Sequence, residues 1–111
     1  MSAEQPGPTT SGPATFVNSF TLRTTPEEFE EVFARTARFL EERPGFLGYT
    51  LVRHVDEPDR YVNIARWADP AAFRAAVTDA GFAPHAQALR AISTSSSNLY
   101  VERRSVTAET R

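Results

Sequence analysis

The stretch from Tyr61 to Phe73, YVNIARWADPAAF, constrains this chain more than any other, because it ends a strand and starts a helix with almost nothing between them. Alternation with a period of two places Tyr61, Asn63, Ala65 and Trp67 on one face. Asp69 then offers a capping carboxylate and Pro70 a first helical residue, so the chain must turn at once into a helix. An amide and the only indole of the protein therefore share the face nearest that helix. A flat organic ligand could be both hydrogen-bonded and stacked there.

At 111 residues and 41% hydrophobic content the chain supports one domain with one core. The net charge of -2 and the dispersed arginines do not suit a protein that coats phosphate backbones, so nucleic acid is not an expected partner. Without cysteine there is no disulfide, thiol nucleophile or thiolate metal site. Without lysine there is no Schiff-base chemistry through a lysine amine. The two histidines lack metal-ligand spacing and a clustered carboxylate, so no metal site is expected. No apolar run approaches the roughly 20 residues that span a bilayer, and the start of the chain lacks a basic, then apolar, leader. No membrane association is expected, and the cytoplasm is the expected location.

Residues 1–15 are rich in Pro, Gly, Ser and Thr and are expected to form a flexible arm. The alternation of Phe16 to Arg23 predicts a first strand. Thr25-Pro26-Glu27-Glu28 predicts a capped helix start, and Phe29, Val32, Phe33, Thr36 and Leu40 form its apolar stripe until Arg43-Pro44-Gly45 ends it. Phe46 to His54 and Arg60 to Trp67 predict a hairpin across the Asp56-Glu57-Pro58-Asp59 turn. A second helix from Pro70 is interrupted at Gly81 and Pro84 and resumes to about Ile92. Ser93 to Ser97 reads as a loop, Asn98 to Arg104 as a last strand, and residues 105–111 as a flexible tail.

The order β-α-β-β-α-β is the split βαβ plan of a ferredoxin-like, α+β domain: a four-stranded antiparallel sheet over residues 16–104, with both helices on one face. Val62 and Ile64 point to the other face, which two helices cannot also cover. A homodimer closing a dimeric α/β barrel through that face is the simplest expectation.

Three local patterns, Pro-Gly-Phe-Leu at Pro44 to Leu47, Asn-x-x-x-Trp at Asn63 to Trp67 and Leu-Arg at Leu89-Arg90, resemble the antibiotic biosynthesis monooxygenase family of small dimeric α/β barrels. The similarity is greatest to its cofactor-free members, which oxidise an aromatic polyketide anthrone to a quinone. It implies that Asn63, Trp67 and Arg90 are catalytic, with His54 as a further candidate in the second strand. Where those members carry a tyrosine six residues after the tryptophan, this chain has Phe73, which cannot donate a proton. Asn18 and His85 are similar to an asparagine and a histidine of haem-degrading relatives, but the tryptophan completing that set is replaced near Ala76.

The resemblance implies a cofactor-independent monooxygenase acting on a small aromatic substrate, with molecular oxygen as co-substrate and no other cofactor. No flavin, nicotinamide or P-loop fingerprint is present. Arg90 would favour a substrate phenolate or enolate, Asn63 and Trp67 would hydrogen-bond the oxygen species, and His54 would move the proton. Asn18, Phe20, Tyr49, Tyr61, Phe73, Phe82 and His85 are the candidate substrate-binding residues. Plainer readings stand beside these: burial accounts for a tryptophan at a strand end, an arginine can lie over the domain surface, and each histidine can be an ordinary polar residue. A polyketide cyclase or isomerase, or a non-catalytic ligand-binding or auxiliary subunit, would use the same fold.

Overall fold

Thr25 and Asp69 set the two main chain reversals. The Thr25 hydroxyl accepts the Glu28 N–H at 3.1 Å, and the Asp69 carboxylate accepts the Ala72 N–H at 2.8 Å, with a proline first in each helix. The computed structural model describes residues 12–109 and gives the order β1 (Ala14–Leu22), α1 (Pro26–Glu41), β2 (Phe46–Arg53), β3 (Arg60–Trp67), α2 (Pro70–Thr78), α3 (Ala83–Ile92) and β4 (Ser93–Val101). A short 3-10 turn, Ala80–Phe82, joins α2 to α3, as the break at Gly81 and Pro84 predicts. All strand pairs are antiparallel, in the order β2-β3-β1-β4, which is the ferredoxin-like arrangement.

Three boundaries differ from the sequence expectation. The first strand begins at Ala14, which is fully buried, so Ala14 and Thr15 belong to the sheet; residues 1–11, most of the expected arm, lie outside the described residues. Ser93 to Ser97 is not a loop but the first half of β4, paired in continuous register from Leu22↔Ser93 to Ala14↔Val101. Serine has little intrinsic strand preference, but here β1 supplies a complete ladder of partners and context overrides propensity. The strand ends at Val101, three residues earlier than expected.

Period-two alternation sorts the sheet into two faces. Phe20, Leu22 and Tyr61 point to the helices and pack with Phe29, Phe33 and Ala37 of α1. Phe29 is fully buried, with ring centroids 5.0 Å from Phe20 and 4.9 Å from Tyr61. A second cluster gathers Trp67, Ala65 and Ala76 with Phe16, Phe46 and Phe73 at the other end of the sheet. Between the clusters the helix-facing side is not filled.

Tyr61 is buried in the first cluster, where its hydroxyl donates to the Glu30 carboxylate at 2.5 Å. Burial and the acceptor carboxylate both disfavour the phenolate and push its pKa from 10.0 up to about 12. A pKa raised on folding contributes stability that is complete below the unfolded value and lost as pH climbs through the folded one. The wild type is therefore expected to lose more stability between pH 10 and 12 than Tyr61→Phe does, checked by melting temperature across that window.

Candidate active site

Phe46 pairs with Trp67 across β2 and β3, and a bulge between Phe46 and Gly48 lets the chain leave α1 and enter the strand with Phe46 on the helix-facing side. Asp69 and Pro70 then throw α2 back over the same side, which brings Phe73 to 5.9 Å from the Trp67 ring and 4.5 Å from Phe16. The indole meets Phe46 edge-on at 5.3 Å. These rings wall one end of a cavity of about 400 Å³ between the sheet and the helices, a volume typical of small-molecule sites.

The opposite side of that cavity is polar. Asn18 of β1 and Asn63 of β3 are directly opposed across the strand pair and share its helix-facing side. Both side-chain oxygens are buried and accept no hydrogen bond among the described residues. An acceptor left unpaired in this way costs about 1–3 kcal/mol, a cost that a hydrogen-bond donor entering the cavity would remove. Ser95 and Ser97 of β4 line the next part of the wall, opposite Phe20 and Asn18. Arg90, in the last turn of α3, is the one charged side chain in the lining among the described residues, and no carboxylate faces it there. Arg90 is solvent-exposed, so it gives the lining a positive charge at a wetted position, while the two amide oxygens call for a hydrogen-bond donor.

Of the residues expected from sequence, Asn18, Phe20, Tyr49, Asn63, Trp67, Phe73, Phe82 and Arg90 come together on this lining, and His54, Tyr61 and His85 do not. His54 is exposed just beyond β2, where its Nδ1 accepts the backbone N–H groups of Asp56 and Glu57 at 3.0 and 2.9 Å. Its imidazole closes the hairpin turn and is not placed to move a proton in the cavity. Tyr61 is committed to Glu30 in the core. His85 packs against Phe39 in a tilted arrangement with centroids 5.5 Å apart, outside the lining. Sequence reasoning missed Phe16, Phe46, Ser95 and Ser97; the alternation of Phe16 with Asn18 and Phe20 pointed to the first, whereas the serines were hidden by being read as a loop.

An antiparallel sheet backed by helices on one side, with a mixed aromatic and amide cavity between, defines a small α+β domain of the ferredoxin-like class with a ligand-sized cavity. Residues 16–91 match the family described as antibiotic biosynthesis monooxygenase, and the chain belongs to that family. It is 53% identical over 92 residues to deoxynogalonate monooxygenase of Streptomyces nogalater, covering 83% of this chain and 78% of the relative. The crystal structure of SnoaB, a cofactor-independent oxygenase from Streptomyces nogalater, superposes with a TM-score of 0.84 at 50% identity, covering 88% of this chain and all of that one. A shorter similarity, 39% over 59 residues, relates it to a mycobilin-producing heme oxygenase of Mycobacterium tuberculosis, covering 53% of this chain and 56% of the relative. Among the described residues no helix is long and apolar enough to cross a membrane, and no three His, Cys, Asp or Glu side chains cluster as metal ligands.

Proposed function

We propose that this chain is a cofactor-independent monooxygenase that oxidises an aromatic, anthrone-type polyketide phenol to a quinone in antibiotic or secondary-metabolite biosynthesis. The observation that carries the reading is the pair of Asn18 and Asn63 oxygens, unpartnered among the described residues, in an aromatic-walled cavity whose one charged lining residue among them is Arg90. The identity to deoxynogalonate monooxygenase and the likeness to the cofactor-independent oxygenase support it.

An electron-rich phenolate or its carbanion reduces dioxygen without a prosthetic group, so the protein's work is to bind it, stabilise the anion and keep water from the reacting carbon. Arg90 lowers the cost of ionising the substrate. The aromatic walls formed by Phe16, Phe46, Trp67 and Phe73 hold the ring system. Asn63 and the Trp67 indole N–H hydrogen-bond the oxygen-derived anion, and Asn18 accepts from a substrate hydroxyl. Haem fits this cavity less well, since His85 packs against Phe39 and is not part of the lining.

The test is oxidation of a dihydroxyanthrone by the metal-stripped, flavin-free protein in isotopically labelled dioxygen. The reading expects quinone carrying one labelled oxygen atom and equal uptake of dioxygen. Ring closure or isomerisation without dioxygen uptake would instead establish a cyclase, and binding without conversion a carrier.

The functional unit is a homodimer in the cytoplasm. Leu47, Val52, Ile64 and Tyr100 are exposed large hydrophobic residues, and Val52 pairs with Val62 on the sheet side away from the helices. A second copy laid on that side would bury an interface of more than about 2,000 Å², the size of an obligate contact. Sedimentation at micromolar concentration decides this, and a monodisperse monomer would exclude it.

A further inference from the structure

Ala65 lies at the centre of a ring of larger groups. Its same-face neighbours along β3 are Asn63 and Trp67; directly across the two strand pairings stand Tyr49 of β2 and Phe16 of β1. All five line the cavity. Directly opposed residues hold their Cβ atoms about 4.5–5.5 Å apart, so the small Ala65 side chain has an amide, an indole and a phenol as its neighbours on one face. Tyr49 and Arg90 are the only titratable side chains of the lining among the described residues, and a guanidinium does not give up its proton. The Tyr49 ring stands edge-on to Phe33 at 5.5 Å and is 38% exposed, so it borders both the cavity and solvent.

We propose that the peroxide formed during turnover is seated over Ala65 and that Tyr49 is its proton donor. The inference rests on the oxygenase reading above. The substrate's CH₂ carbon first loses a proton to solvent, and the carbanion transfers two electrons to dioxygen as the C–O bond forms, leaving C–O–O⁻. The Tyr49 O–H protonates the terminal oxygen and becomes a phenolate. Loss of the remaining C–H proton with cleavage of the O–O bond gives the carbonyl and water. Solvent returns one proton to Tyr49 through its exposed side, which balances the proton released at the start.

Tyr49→Phe keeps the ring and removes the donor. In the full-length protein with a dihydroxyanthrone in air, kcat is expected to fall about a hundredfold while KM stays within about twofold. The melting temperature is expected to be unchanged. The solvent deuterium isotope effect on kcat should rise, because water becomes the proton source, which a purely structural role would not produce. A kcat within about twofold of wild type, or a loss with an unaltered isotope effect, overturns the proposal. A second measurement separates it from the oxygenase reading. Bound dihydroxyanthraquinone is expected to show a red-shifted visible band in the wild type that Tyr49→Phe loses. Equal spectra overturn the Tyr49 assignment; a normal shift without anthrone oxidation overturns only the oxygenase reading and supports Tyr49 as a donor to the ligand's oxygen.

Discussion

Asn63→Ala is expected to cost about a hundred- to a thousandfold in turnover, the loss of about 2.7–4 kcal/mol that follows removal of one well-placed donor to a developing oxyanion. The same substitution is expected to leave the protein as stable as wild type or more so. The Asn63 oxygen is buried without a partner among the described residues, so the folded state carries its desolvation cost and alanine removes it. A residue that weakens the fold while it serves the reaction has opposite signs in the two measurements. Anthrone oxidation and urea unfolding on the same preparation check both. Wild-type turnover in a folded Asn63→Ala would refute the site assignment, and strong destabilisation would show that the amide is satisfied in the native state.

Phe29→Ala should behave in the reverse sense. Phe29 is fully buried between Phe20, Phe33 and Tyr61, with centroid distances of 5.0, 6.0 and 4.9 Å, and it does not line the cavity. Removing so large a ring from a close-packed cluster costs about 3–5 kcal/mol, through lost transfer energy and the void left behind. Against a typical total of about 5–15 kcal/mol, that is a large share of the stability of a domain this size. The unfolding midpoint in urea should drop accordingly, while kcat of the protein that remains folded stays close to wild type. A loss of unfolding free energy below about 1 kcal/mol would mean that α1 settles into the vacated space.

The two proline-led helix starts were legible because their signals are local: a capping oxygen, a proline and the first apolar positions lie within one turn of chain. Period two likewise placed Asn63 and Trp67 on one face, and the structure puts both on the cavity. Alternation names a face, however, but not which part of it the helices cover. Tyr61 shares that face with Asn63 yet meets α1, where Glu30 takes its hydroxyl, and a contact between residues 31 positions apart leaves no mark in a local pattern. His54 failed for a related reason. Its imidazole accepts two turn amides, and that geometry exists only once the hairpin is closed. The Ser93 to Ser97 run was misread because polar, small residues usually signal a loop, whereas β1 holds them in a strand through backbone pairing alone.

That dependence on backbone pairing divides the cavity into a wall that is costly to alter and a wall that is cheap to alter. Trp67, Phe46, Phe16 and Phe73 hold one another in place, so enlarging or shrinking any of them disturbs its neighbours. Ser95 and Ser97 line the cavity but are exposed and small, and their contribution to the fold runs through main-chain hydrogen bonds that any non-proline residue can make. Substitutions at β4 can therefore reshape this wall of the cavity without compensating changes elsewhere. Retuning for a new aromatic scaffold should begin at Ser95 and Ser97, with the indole end left untouched.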